Sequence, residues 1–166
     1  MPELSDHRPL GFRGDLSLSP EQVEMMRSLE GSDLWFVEER LIGKGSVAAD
    51  KVQGAVVEFK RYMALVGLGY RSLGMLSPEV DEVWHAFILF TREYAEFCQA
   101  AFGSFVHHVP RTSRSPRTES NADNFLAAYG EVFGEVPPEW YGVRHGGRSA
   151  MADEPSGCGT EDCTDG

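Results

Sequence analysis

Apolar side chains recur every three to four positions along most of this chain, and the polar residues between them fall on the opposite side of the helices that such spacing implies. The stretch LSPEQVEMMRSLEGS opens with Ser19 as a cap and Pro20 at the first helical position, and Gly31 can stop it. Leu34, Val37 and Leu41 then share one side of a second short helix, with Glu38, Glu39 and Arg40 facing out and Gly43 closing it. From Ser46, with Asp50 nearby, the chain starts a third pattern in which Val52, Val56, Phe59, Met63 and Val66 keep helical spacing to about residue 66. Gly54 weakens that helix by about 1 kcal/mol relative to Ala.

Ser77 and Pro78 begin the strongest pattern, which reads as one helix over residues 78–102 ending near Gly103. After the arginine-rich loop PRTSRSPRTES, Phe125, Leu126, Ala128, Tyr129, Val132 and Phe133 form the apolar side of a last helix, ended by Gly134 and Pro137-Pro138. No strand alternation competes with these patterns, and no segment repeats. The expected fold is all-α, a compact bundle of about five helices. It divides into an N-terminal arm over residues 1–18, a helical domain over 19–143 and a flexible, acidic, Gly- and Cys-containing tail over 144–166.

Composition narrows the partners. Hydrophobic residues make up 42% of the 166, enough to bury a core, so folding is the default. Twenty-six acidic against fifteen basic residues leave a net charge of −11, a field that repels phosphate backbones and anionic membranes. Nucleic acid is therefore an unlikely partner, and the arginine loop at 111–117 is the only basic patch. With no membrane-spanning run and no apolar leader at the N-terminus, the expected location is the cytoplasm. There Cys98, Cys158 and Cys163 stay thiols unless a metal or a catalytic disulfide claims them.

Candidate chemistry concentrates on residues 78–110. With Val80 set at zero on a helical wheel, Val83, Trp84, Phe87, Tyr94, Cys98, Ala101 and Phe102 lie within about 60° of it as a buried stripe. Asp81, His85, Arg92 and Glu96 fall on one flank, where Asp81 and His85, four apart, can touch. A solvated flank with two helical charge pairs explains this; so does a site with His85 as ligand or general base and Asp81 orienting it. On a continuous helix Cys98 lies about 20 Å from His85 along the axis, so the two could not share an ion. His107 and His108 follow the helix stop and can reach back. Two exclusive sites follow: Asp81 and His85 with one histidine of the pair, or Cys98 with that pair. Either would suit a divalent metal such as zinc or iron, given a further ligand. Cys158 and Cys163 in GCGTEDC fall short of a zinc-ribbon pattern. Phosphate loops, HExxH, GxSxG and paired CxxC are all missing from the sequence.

The residues VDEVWHAFILFTREYAEFCQAAFGSFVHHVP resemble the signature of the glycine-rich domain-containing protein family, a former domain of unknown function in plant and bacterial proteins. The resemblance runs through Asp81, Trp84, His85, Tyr94, Cys98, Gly103, His108 and Pro110, and with EFKRYMALV and NFLAAYGEVFGEVPPEWY it covers roughly residues 46–141. It implies no reaction. It does give weight to an Asp, two His and a Cys as a site. Longer plant relatives are suggested to bind RNA, which the acidic balance here argues against. Two functions are thus expected to compete: a metal-binding or small-ligand site beside the helix, as in an accessory metalloprotein, or a protein-protein interaction module whose His and Cys residues are structural. In the second, the histidines would pin the 104–110 segment to the bundle by hydrogen bonds.

Overall fold

The computed structural model describes residues 7–110, 112, 114 and 120–142. A short 3-10 turn at Pro9–Gly11 precedes seven α-helices: α1 (Pro20–Gly31), α2 (Trp35–Lys44), α3 (Val52–Gly67), α4 (Pro78–Ile88), α5 (Thr91–Phe102), α6 (Ser120–Phe133) and α7 (Pro138–Tyr141). No strand forms among the described residues, and the fold is all-α, as the spacing predicts. The expected tail, with His145, Cys158 and Cys163, lies outside the described residues, as do Arg111 and Arg117 of the arginine loop.

Capping chemistry sets the helix starts. Ser19 and Gln22 form a reciprocal capping box at α1, and the Ser77 hydroxyl accepts from the Val80 N–H at α4. Gly45 and Gly103 end α2 and α5 in the left-handed conformation, at φ 67° and 68°, that glycine adopts without strain. The third helix starts at Val52 rather than Ser46, because residues 48–51 form a turn closed by Lys51 N–H donating to Ala48 C=O.

Ten of the sixteen residues of α3 are buried, so this helix is the one the others pack around. It contacts α1, α2, α4 and α6. Among its buried residues are two charges. Lys60 Nζ donates to the Glu30 and Ser32 carbonyls at 2.9 and 2.6 Å, satisfying groups left over at the end of α1. The Glu58 carboxylate accepts from Tyr129 of α6, Tyr141 of α7 and Arg61, at 3.0, 3.0 and 2.8 Å. These bonds tie the last two helices to the centre.

The single helix expected over 78–102 is instead two. Phe90 leaves the helical region at φ −88°, ψ 69°, between α4 and α5. Ten residues along a continuous helix span about 15 Å. Yet the rings of Phe87 and Phe97 are 5.1 Å apart, and Trp84 Nε1 donates to the Tyr94 hydroxyl at 3.0 Å. The break folds α5 back against α4, and the gain is aromatic packing: Phe90 meets Phe36 of α2 at 4.8 Å and Phe87 meets Tyr94 at 5.1 Å. Neither Gly nor Pro marks the position, so the local sequence carries no signal for it.

Candidate metal centre

Position 81 follows from the cap. Pro78 starts α4, so Asp81 sits in its first turn, where the unpaired N–H groups favour a carboxylate. His85, one turn later, presents its Nδ1 3.7 Å from Asp81 Oδ2. The third residue comes from outside the helix. After Gly103 turns the chain, residues 104–110 run back along α4, and His108 Nε2 reaches 3.5 Å from Asp81 Oδ1. Asp81, His85 and His108 can each offer one ligand atom such that all three lie within 4.8 Å of one another.

What holds His108 there is packing against aromatic rings. Its imidazole stands edge-on to Trp84, with centroids 4.4 Å apart at 90°, and 4.6 Å from the His85 ring. The return segment is pinned by Tyr94, whose hydroxyl donates to the Val106 carbonyl at 2.6 Å while accepting from Trp84.

The His108 side chain is only 3% exposed and that of Asp81 10%, while that of His85 is 36% exposed. Asp81 Oδ1 and His108 Nε2 are buried without a hydrogen-bond partner. Their 3.5 Å separation is too long for a good hydrogen bond. It is close to the spacing of about 3.3 Å between two donors bound tetrahedrally at zinc-ligand bond lengths. Buried and unsatisfied polar groups are rare in folded proteins and call for a cause. The residues present therefore fit a metal ion, with two imidazoles and a carboxylate converging and His85 the most exposed of the three.

Glu82 borders the group. Its Oε1 is 3.8 Å from His85 Nδ1, and its Oε2 accepts from Lys44 Nζ at 3.1 Å. Although burial works the other way, the Lys44 ammonium holds the Glu82 carboxyl below its ordinary value. Helical spacing between Asp81 and His85 singles out neither Glu82 nor Lys44, which is thirty-eight residues away in the chain.

The other candidates lie elsewhere. His107 is exposed, its ring tilted against Phe105 at 4.9 Å, so of the adjacent pair only His108 faces inward. With the helix broken, distance along one axis no longer separates Cys98 from His85. Cys98 is nonetheless buried in the core, where burial pushes its thiol up from the ordinary value against contacts from the Val106 backbone and Tyr94. It is outside the converging set. Arg92 and Glu96, placed on the same flank by a continuous wheel, are exposed on α5 and take no part.

Among the described residues no helix is long and apolar enough to cross a membrane. No curated protein and no solved structure matches the chain. One family model does, that of an uncharacterised family described as UCP032817-like. It covers residues 37–128, more than half of the chain, and so takes in most of α2, all of α3 to α5, the return segment and all three converging side chains. The chain belongs to the UCP032817-like family.

Proposed function

We propose that this protein binds a divalent transition metal between Asp81, His85 and His108 and keeps coordination positions open for a small ligand. One observation carries the reading: Asp81 Oδ1 and His108 Nε2 are buried, unpartnered and face each other 3.5 Å apart. Leaving each unsatisfied costs about 1–3 kcal/mol, and an ion between them removes both costs. Two imidazoles with one carboxylate suit zinc or ferrous iron better than calcium or magnesium, which prefer oxygen donors. Three protein ligands with an open side match catalytic rather than structural zinc sites. We also propose that the likeness to glycine-rich domain-containing proteins reflects this site, since Asp81, His85 and His108 are among the residues that carry it.

Elemental analysis of untagged protein, purified without added metal and again after zinc incubation, tests the reading beside His85→Ala and Cys98→Ala. The expected result is one ion per chain, lost in His85→Ala and kept in Cys98→Ala. An ion-free wild type after zinc incubation, or an ion that survives His85→Ala, overturns it. The interaction-module reading draws on a cleft of about 610 Å³ lined by Trp35, Phe36 and Phe90, with Trp35 well exposed. It predicts a fold indifferent to chelator.

A further inference from the structure

Resting on that metal reading, we propose that the site hydrolyses acyl bonds, with Glu82 as the general base. Asp81, Glu82 and His85 occupy positions i, i+1 and i+4 of α4. On a helix, i and i+4 point the same way, while i+1 is turned by about 100° and borders their common side. Zinc-binding helices of the H-E-x-x-H kind use this frame to put two ligands on the ion and a glutamate beside the water it holds. Here an aspartate takes the first ligand position, and His108 supplies the third ligand from the return segment.

The geometry agrees with that division of labour. The Glu82 carboxylate stands outside the set of atoms that converge within 4.8 Å, beside the three ligand candidates rather than among them. Lys44 engages Oε2 at 3.1 Å, and Oε1 stands 3.8 Å from His85 Nδ1, beside the more exposed edge of the group, where a bound water would be within its reach. In the reaction, Glu82 Oε1 accepts a proton from that water as its oxygen forms a bond to the acyl carbon. The tetrahedral adduct then breaks its bond to the leaving alkoxide or amine, which receives the proton from Glu82. A carboxylic acid and an alcohol or amine result, with no change of oxidation state. The net charge of −11 disfavours phosphoryl substrates, so the class is a neutral ester or amide.

The test uses the full chain loaded with zinc, p-nitrophenyl acetate as probe, and zinc content measured on every sample. Wild type should show zinc-dependent turnover. Glu82→Gln should keep one zinc per chain while losing about 100-fold or more of that rate, the range general-base removal gives. Glu82→Asp, which keeps a shorter carboxylate, should recover part of it, and Glu93→Gln on exposed α5 should behave as wild type. Zinc-loaded wild type without turnover, or with turnover that Glu82→Gln leaves unchanged, overturns the hydrolytic proposal while the metal site stands. Zinc lost in Glu82→Gln makes Glu82 a ligand and overturns its role as base. A wild type that binds no zinc is a failure of the metal reading itself.

Discussion

At position 81 a single buried oxygen is left without a hydrogen-bond partner, and the imidazole nitrogen it faces, Nε2 of His108, is in the same condition. The arrangement suits an ion and costs stability without one. Asp81→Asn should separate the two effects. An amide can donate to His108 Nε2, so chelator-treated Asp81→Asn should be more stable than chelator-treated wild type by about 1 kcal/mol, read from urea unfolding. Its zinc affinity should fall at least 10-fold, read by competition with a chromogenic chelator, because a neutral amide is a poor ligand for a transition metal. Equal zinc affinity in the two proteins would remove Asp81 from the site. At this scale the sequence marks Asp81 and His85 through their spacing, and it leaves the choice between His107 and His108 open. The choice is settled by Trp84, whose ring packs perpendicular to that of His108.

Among the helices, the break at Phe90 and the return of residues 104–110 are one device. Tyr94 joins them, accepting from Trp84 on α4 and donating to Val106 on the segment that carries His108. Tyr94→Phe removes both bonds and leaves the Val106 carbonyl and the Trp84 N–H to find others. It should cost about 1–3 kcal/mol of stability. It should also weaken zinc binding although Tyr94 touches no ligand atom, because His108 loses its anchor; unchanged affinity would show that packing on Trp84 alone suffices. Gly54 marks a second contact between elements. By helix propensity Ala there should add about 1 kcal/mol. A Cβ at that position would lie 2.6 Å from Trp140 Cζ2, so Gly54→Ala should instead destabilise by about 1–2 kcal/mol, and Gly54→Ala with Trp140→Ala should recover the difference in thermal melts. The glycine that looks like a weakness of α3 is where α7 rests.

Across the whole molecule, the Glu58 carboxylate is the point at which the two ends of the fold meet. It is 3% exposed and accepts from Arg61, Tyr129 and Tyr141, while Arg61 also donates to the Leu10 carbonyl of the N-terminal turn. Burial first, and then the Glu58 charge, raise both tyrosines above their ordinary values, so they remain hydroxyl donors around neutral pH. Removing one member of a buried charged network leaves the rest uncompensated. Glu58→Ala should therefore cost about 3–5 kcal/mol in urea unfolding, and Glu58→Gln, which keeps an acceptor, distinctly less. A small effect of Glu58→Ala would mean that α6 and α7 are held by their apolar faces alone. Of this network the sequence shows only the i,i+3 spacing of Glu58 and Arg61; the two tyrosine partners are seventy-one and eighty-three residues away.

The sequence by itself determined the class of fold and most of the helix boundaries, because the period of apolar positions, the caps at Ser19 and Ser77, and Gly103 are local facts that act within a few residues. It also brought Asp81 and His85 within reach, since four residues make one turn. Only the tertiary structure decided where the helix over 78–102 breaks, which histidine turns inward, and that Lys44 stands beside Glu82. Each of those outcomes depends on rings and charges from other helices competing for the same space. That competition has no local period to betray it.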